Sequence, residues 1–521
     1  MYTKSLRSSE FFKNYVPALL SGILLVFCFP TADFFWLAWF ALVPFLLSLY
    51  DKKPQQAFKA GLFLGMPYFF GTLYWIYHSI NHYGGISLGM SILIVILLCL
   101  YLSLYTGIFG LLFSVTIQVT NLPALFIAPV FWVVLEFLRS YLFTGFPWSS
   151  IGYSQYKFLS VIQIADVTGV YGVSFLVVAV NGAIADIALM RKRIRDMPLF
   201  PLSQTIIGFS LLFLFILSTF IYGYWKLGEE RPGKLLRASI IQGNIEQDKK
   251  WDTSYQSAVM ATYKDLSVKA ASYSPEIIIW PETAVPFFFI TDRERTNRLI
   301  DFQNHLNAYL LFGSVLVKGK NDGRFLLSNS AVLLDKAGKV TYIYDKIHLV
   351  PFGEYVPLRK VLFFIDKLVV GVGDYTGGKL NLRATTPFGD FATLICYEIV
   401  FPGLVRKFYS TGGEFIVNIT NDAWFGRTSG PYQHFSMAVF RTIENRKPLI
   451  RAANTGISGF IDSNGRILSK TDLFQKAVVT REIKTDTTRS FYSKYGDLFS
   501  YIWIVLSVIL LTNLKGKFKR G

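Results

Sequence analysis

Apolar residues crowd the first part of the chain in seven blocks: Tyr15 to Pro30, Phe34 to Tyr50, Ala60 to Tyr77, Leu88 to Val115, Ala124 to Phe143, Val170 to Met190 and Ile206 to Tyr224. Each is near the roughly 20 residues that a helix needs to cross a hydrocarbon core. From Lys226 onward the pattern changes to short apolar runs alternating with charges and turn residues, until a last block at Phe499 to Leu514. The pattern predicts a transmembrane bundle of about seven helices over residues 1–225, a water-exposed domain over 226–498, and an eighth helix with a basic tail over 499–521.

Within the water-exposed stretch the period shortens. RASIIQGNI, PEIIIWPETAV, AYLLFGSVLV, SNSAVLLD, KVTYIYDKIHLV, FATLICYEIV, EFIVNITND and PLIRAANTGISGFID read as β-type runs, with DKAGK and DSNGR as turn signals. TSYQSAVMATYKDLSVKAASY and RERTNRLIDFQNHLN carry apolar residues at helical spacing. The domain is therefore expected to be α/β, or α+β with sheets covered by helices.

Composition strengthens the membrane reading. The chain has 521 residues, 52% of them hydrophobic and 17% aromatic, with mean hydropathy +0.40, more apolar than a soluble domain. Its net charge of +18 must be read by position. Lys4, Arg7 and Lys13 precede the first block, Lys52, Lys53 and Lys59 follow the second, Arg191, Lys192, Arg193 and Arg195 follow the sixth, and Lys515, Lys517, Lys519 and Arg520 follow the last. Counting spans puts all four clusters on one side, which the positive-inside rule makes cytoplasmic, and the large domain on the other. Topology accounts for these basic clusters, so no nucleic-acid partner is expected. The first block lacks a clear small-residue cleavage site, so it is expected to stay in place as a span.

The chain has three cysteines. Cys28 and Cys99 lie inside apolar blocks, where a thiol behaves as a small hydrophobe. Cys396, in LICYEIV, falls in a compartment where disulfides form yet has no evident partner; composition leaves both an inert and a reactive thiol open. Three polar residues end apolar strand runs: Glu282 after IIIWP, Lys346 after YIYD and Cys396 after ATLI. Strand ends gather sites in layered α/β folds. A carboxylate, a cation and a thiol supply a base, an electrophile and a nucleophile for acyl transfer.

The stretches QGNIEQDKKWD, IIIWPETAVP, YDKIHLVPFGEYVPLR, LICYEIVFP, NITNDAWFG and RAANTGISGFID, with FTGFPW in the apolar part, resemble the nitrilase or carbon-nitrogen hydrolase superfamily. More narrowly they are similar to its integral-membrane branch, the apolipoprotein N-acyltransferases, over nearly the whole chain and with no departure at the triad positions. The resemblance implies an αββα sandwich outside the cytoplasm of a bacterial inner membrane, and no cofactor or metal. It implies Cys396 as nucleophile, Glu282 as general base, Lys346 as oxyanion stabiliser and Glu354 as a second essential carboxylate. Trp251, Tyr397 and Glu398 match positions that shape the pocket or orient the thiol, with packing an alternative for Trp251. The implied partners are a membrane phospholipid as acyl donor, diacylglyceryl-modified apolipoproteins as acceptors, and the bilayer.

Two apolar stretches follow triad residues, Val285 to Ile290 (VPFFFI) and Val361 to Gly373 (VLFFIDKLVVGVG). Both are expected either in the core or as a rim dipping into the bilayer, with Phe363 and Phe364, and Phe287 and Phe288, forming a lid for an acyl chain. Glu136, Arg139, Asp166 and Asn181 lie in or beside apolar blocks and are functional candidates by default, although Glu136 and Arg139, three apart, can also pair. The sequence lacks HExxH, paired CxxC and a Walker glycine loop, so metalloprotease, zinc and nucleotide readings have no ligands. A Cys-His hydrolase would need His348 or His434, of which His348 flanks Lys346. Two rival functions stand beside acyl transfer: a membrane-tethered amidase using the same triad, and a transporter or receptor in which Cys396 is inert.

Overall fold

The computed structural model describes residues 2–120, 122–193, 202–321, 324–355, 374–379 and 383–518. The chain forms two compact units. One comprises Met1–Tyr77, Gly89–Glu229 and Tyr495–Gly521; the other comprises His78–Leu88 and Glu230–Lys494.

The first unit is helical. Among the described residues, four of its helices are long and apolar enough to cross a membrane: Leu88–Thr120, Ala124–Tyr141, Val170–Met190 and Gln204–Gly228. Shorter apolar helical stretches are Tyr15–Phe27, Phe35–Leu49, Leu159–Thr168 and Leu498–Asn513. The second apolar block is thus not one continuous helix. A 3-10 turn, Phe35–Trp39, gives way to a short helix, Val43–Leu49, that begins with Pro44 in its first turn. Proline has no N–H to give and its fixed φ suits a helix start, so the break falls there.

A break in the helix frees backbone groups that lipid cannot satisfy. Asn181 meets that need: its side chain accepts from Leu42 N at 2.8 Å and donates to Ala38 O at 2.8 Å and Val177 O at 2.9 Å. Other buried polar groups act likewise. Asp186 accepts from Ala124 N at 2.9 Å and Leu125 N at 3.0 Å, satisfying the open first turn of the helix Ala124–Tyr141. Glu136 Oε1 accepts from Trp132 Nε1 at 2.9 Å and Ile151 N at 2.8 Å. Arg139 donates to Ser150 Oγ at 3.2 Å and lies 5.2 Å from the centre of the Phe69 ring. Among the described residues no ion pair joins Glu136 to Arg139. Asp166 receives the Tyr222 hydroxyl at 2.8 Å.

The second unit is a two-sheet sandwich. Its strands are β1 Leu235–Gln242, β2 Ile277–Ile279, β3 Tyr309–Asn321, β4 Arg324–Leu334, β5 Val340–Asp345, β6 Asp374–Tyr375, β7 Phe391–Ile395, β8 Phe415–Thr420, β9 Leu449–Ala453, β10 Gly459–Ile461, β11 Ile467–Lys470 and β12 Ala477–Lys484. One sheet runs β12-β1-β2-β3-β4-β5, with β6 paired to β4; the other runs β11-β10-β9-β8-β7. β1, β2 and β3 pair in parallel, as do β7, β8 and β9, so their C-terminal ends collect at one edge of each sheet.

The sheets face each other, β1 against β9 and β4 against β7. The helix Gln256–Ala271 packs on the first sheet, and the helices Pro402–Tyr409 and Gly430–Asn445 pack together beside the second. This layering is an αββα sandwich. β2 is cut to three residues because Trp280 still donates to Leu311 O at 2.8 Å but Pro281 has no N–H to continue the ladder.

Replacing Asn181 with leucine is expected to leave the Leu42 N–H and Ala38 carbonyl without partners in an apolar interior. Thermal unfolding of the detergent-solubilised protein should then show a loss of about 2 kcal/mol or more, whereas an unchanged melting temperature would mean the break needs no polar support.

Candidate active site

Three strand ends of the sandwich deliver the three sequence candidates into one buried cluster. Glu282 follows β2, Lys346 follows β5, and Cys396 opens the 3-10 turn Cys396–Val400 after β7. All three are buried, at 6%, 1% and 6% exposure. Cys396 adopts φ +52°, a left-handed value that carries strain for a non-glycine residue. Such a turn lifts the residue out of the strand line and presents its side chain at the sheet edge.

Lys346 is the hub. Its Nζ lies 3.0 Å from Glu354 Oε1, 2.9 Å from Glu354 Oε2 and 3.8 Å from Glu282 Oε1. Burial alone would lower the lysine pKa, but the carboxylates of Glu354 and Glu282 and the Cys396 thiol outweigh it and hold the ammonium protonated. Glu354 is itself fixed by Val350 N at 2.8 Å and by Asn329 Nδ2 at 3.1 Å.

Both oxygens of Glu282 are aimed. Asn329 Nδ2 donates to Oε1 at 2.7 Å and Asn421 N donates to Oε2 at 2.8 Å. Burial pushes the Glu282 carboxyl up from the usual carboxylate range, while Lys346 pulls it back. Burial pushes the Cys396 thiol up too, and the charges on Glu282 and Asp422 push the same way, against Lys346. Burial thus keeps the thiol neutral at rest. Gly313 on β3 makes room for the Glu282 backbone. A methyl group there would lie 2.4 Å from Thr283 N and 2.7 Å from Glu282 Cα.

Glu398 differs from the other carboxylates. It is fully buried and collects Ile347 N at 2.7 Å, His348 N at 3.1 Å, Tyr344 Oη at 2.8 Å and Ile395 N at 2.8 Å. It thereby ties the exit of β5 to the exit of β7, and so Lys346 to Cys396. Tyr397 stacks edge-on against Phe401 at 4.9 Å, and His348 packs on the same Phe401 ring at 3.8 Å. Burial, reinforced by Lys346, takes His348 down to about 4, so its ring is neutral near pH 7.

The aromatic candidates separate. Phe287 is 4% exposed and belongs to the core of the first sheet, with Trp280, Phe289 and Phe312. Phe288 is half-buried and packs against Trp251 at 6.0 Å and Phe325 at 6.3 Å. Phe363 and Phe364 lie outside the described residues.

Several site residues have no sequence signal of their own. Asn329 sits mid-strand on β4, where an inward polar residue looks like an ordinary alternation break. His434, which the sequence offers only as a partner for a Cys-His hydrolase, lies on Gly430–Asn445, a helix buried at every position but Tyr432. There it forms a network in which His434 Nε2 meets Cys396 O at 3.3 Å and Nδ1 meets Asp422 Oδ1 at 3.0 Å, while Arg451 donates to Asp422 Oδ2 at 2.8 Å. Burial alone would raise the Asp422 carboxyl, but Arg451 and His434 hold it down at about 2. The segment His78–Leu88, a loop between apolar blocks, also joins this unit. Ser79 Oγ donates to Trp424 O at 2.6 Å, Tyr83 Oη donates to Ala423 O at 3.2 Å, and the Tyr83 ring meets Trp424 at 4.7 Å. These contacts brace the turn Asp422–Phe425, next to the Asn421 N–H that holds Glu282.

Comparison with known proteins agrees with this division. Residues 21–183 match the apolipoprotein N-acyltransferase N-terminal domain and residues 237–492 match the carbon-nitrogen hydrolase family. An apolipoprotein N-acyltransferase of Geobacter metallireducens is 41% identical over 96% of this chain and 94% of its own length. One from Rhizobium rhizogenes is 32% identical over 96% of this chain and 95% of its own. Among solved structures, a carbon-nitrogen hydrolase from Helicobacter pylori is 15% identical, covering 52% of this chain and 94% of that one, with TM-score 0.40. With helical and hydrolase regions both matched and relatives similar from end to end, the chain belongs to the apolipoprotein N-acyltransferase family.

Proposed function

We propose that this enzyme moves a fatty acyl chain from a membrane phospholipid, through a thioester on Cys396, to the α-amino group of the diacylglyceryl-modified N-terminal cysteine of an apolipoprotein. One observation carries the reading: a buried Cys-Glu-Lys cluster stands at the strand ends of a chain that also carries long apolar helices. The basic clusters at the helix ends support placing the catalytic unit on the periplasmic side of a bacterial inner membrane.

In the first half-reaction Glu282 takes the Cys396 proton as sulfur attacks the phospholipid ester carbonyl. Lys346 faces the oxyanion that develops, already fixed by Glu354 and with no solvent to reorganise. Collapse breaks the C–O bond, the lysophospholipid oxygen takes the proton back from Glu282, and the acyl group remains on sulfur. In the second half-reaction the acceptor amine attacks the thioester, its proton passes to Glu282, and the thiolate leaves and is reprotonated. Burial favours the amine over water, since a thioester survives where the site is dry. Glu354 positions Lys346, Glu398 ties the Lys346 and Cys396 loops together, and Tyr397, Trp251 and Phe288 line the approach. The triad also suits amide hydrolysis, which the same assay separates.

The test is a transfer assay with the full-length protein, a phospholipid labelled in its acyl chain and a diacylglyceryl lipopeptide. Label should arrive in amide linkage on the lipopeptide amine and disappear with Cys396→Ala. Release of free fatty acid with no amide product would instead assign a hydrolase.

Glu354→Gln removes one of the charges that hold Lys346 in place. It should slow the acylation step by about tenfold to a thousandfold and, by leaving a buried ammonium without its direct counter-charge, also lower the melting temperature; full activity would remove Glu354 from the mechanism. The Gly313→Ala methyl group should displace Glu282, and a shift of about 1 Å is enough to cost roughly a hundredfold in rate. A pH-rate profile gives a further check. Because Glu282 is ionised only above its raised pKa, acylation should fall away on an acid limb lying above about 4.3, the ordinary glutamate value. A limb at or below that value would exclude Glu282 as the base.

A further inference from the structure

Lys250 is a fully buried lysine that none of the roles above uses. It ends the short helix Gln247–Lys250, just before Trp251. Its Nζ donates to the backbone carbonyl of Glu282 at 2.9 Å and to Thr283 Oγ1 at 2.6 Å. Thr283 itself sits at φ +47°, a left-handed value that costs a β-branched residue more than most. The ammonium therefore clamps the one stretch of strained backbone that sets the direction of the Glu282 carboxylate.

An unpaired buried charge is expensive, and no carboxylate forms a direct ion pair with Lys250 among the described residues. Its electrostatic partner is Glu282, through space and through the shared backbone.

We propose that Lys250 is a positioning residue for the general base: its ammonium holds the Glu282–Thr283 backbone and, when charged, keeps the Glu282 carboxylate ionised at acidic pH. This rests on the assignment of Glu282 as the base. The titratable groups that face Glu282 are Lys346 from the end of β5, Glu354 from the loop after it, the Tyr375 phenol on β6, the Cys396 thiol from the end of β7, and Lys250. Lys346 is committed to Glu354, which raises the Glu282 carboxyl and so opposes part of the lysine's effect. Lys250 has no such counter-charge. Asp248 and Lys249 share its helix, and Lys249 pairs with Glu246 at the surface.

Burial takes Lys250 down to about 7, with Glu282 pulling the other way. The sign follows from that. Below about 7 the ammonium is charged and draws the Glu282 carboxyl down; as the lysine loses its proton above that, the pull is lost. The cation is therefore present on the acid side, where a carboxyl takes up its proton.

The experiment follows single-turnover acylation of Cys396 by phosphatidylethanolamine vesicles, read by intact-protein mass spectrometry, across the acid limb. In Lys250→Met the limb should move to higher pH by roughly one unit, so that acylation well below it slows about tenfold relative to the plateau. Lys250→Arg, which keeps the charge, should leave the limb in place even where its plateau falls. If Lys250→Met does not fold, Thr283→Val withdraws one of the two acceptors that stabilise the ammonium and should move the limb the same way by a smaller amount. A lowered plateau with an unmoved limb in Lys250→Met or in Thr283→Val would make Lys250 a purely structural residue and overturn the proposal. Failure of the wild-type protein to acylate Cys396 at all would overturn the catalytic reading itself, a separate outcome.

Discussion

The arrangement depends on the buried ammonium of Lys346. A lysine at 1% exposure cannot stay charged unless carboxylates share its pocket, and two of them do: Glu354 directly, and Glu282 at 3.8 Å. Each carboxylate then needs donors of its own. Asn329 serves both, Asn421 N serves Glu282 and Val350 N serves Glu354. Strands β2, β4, β5 and β8 are thus committed, at their ends or along their length, to keeping one cation charged in a dry place.

That dryness shapes the chemistry. The same burial that raises the Cys396 thiol makes it a poor nucleophile at rest and, in the proposed mechanism, protects the acyl group that the thiol takes up. A thiolate exposed to water would be more reactive and less able to hold a thioester for a second substrate. The proposed mechanism therefore couples proton removal to attack, with Glu282 held by two hydrogen bonds for that purpose. Glu398, which the resemblance marks as shaping the pocket or orienting the thiol, is spent entirely on backbone and tyrosine donors.

Much of this was legible in the sequence, and the physical reasons are specific. Glu282, Lys346 and Cys396 each terminate an apolar run, and apolar runs in parallel sheets do end at a common edge. The strands β1, β3, β4, β7, β8 and β9 were visible as β-branched stretches. The helix Gly430–Asn445 was not, because a helix packed on nearly every face has no polar stripe to mark it, and His434 stood out only as a partner for a Cys-His hydrolase. The second apolar block shows the opposite failure: its composition promises a continuous span, but Pro44 and the polar support of Asn181 allow a break. Asn181, Asp166, Glu136 and Arg139 stand out in the sequence, but composition does not reveal where their side chains point. In the fold each meets a partner, for Asn181 and Glu136 including backbone groups that lipid would leave unsatisfied. The aromatic run VPFFFI divides, with Phe287 in the core and the half-buried Phe288 against Trp251, because the backbone bends and turns here after β2.

The most direct measurement is intact-protein mass spectrometry of the purified full chain after exposure to phospholipid vesicles carrying one defined acyl chain, with no acceptor present. The account predicts a single adduct of that acyl mass on Cys396, released by hydroxylamine and absent in Cys396→Ala. Transfer of acyl chains to a lipopeptide by a preparation that never carries the adduct, or undiminished transfer by Cys396→Ala, would contradict it.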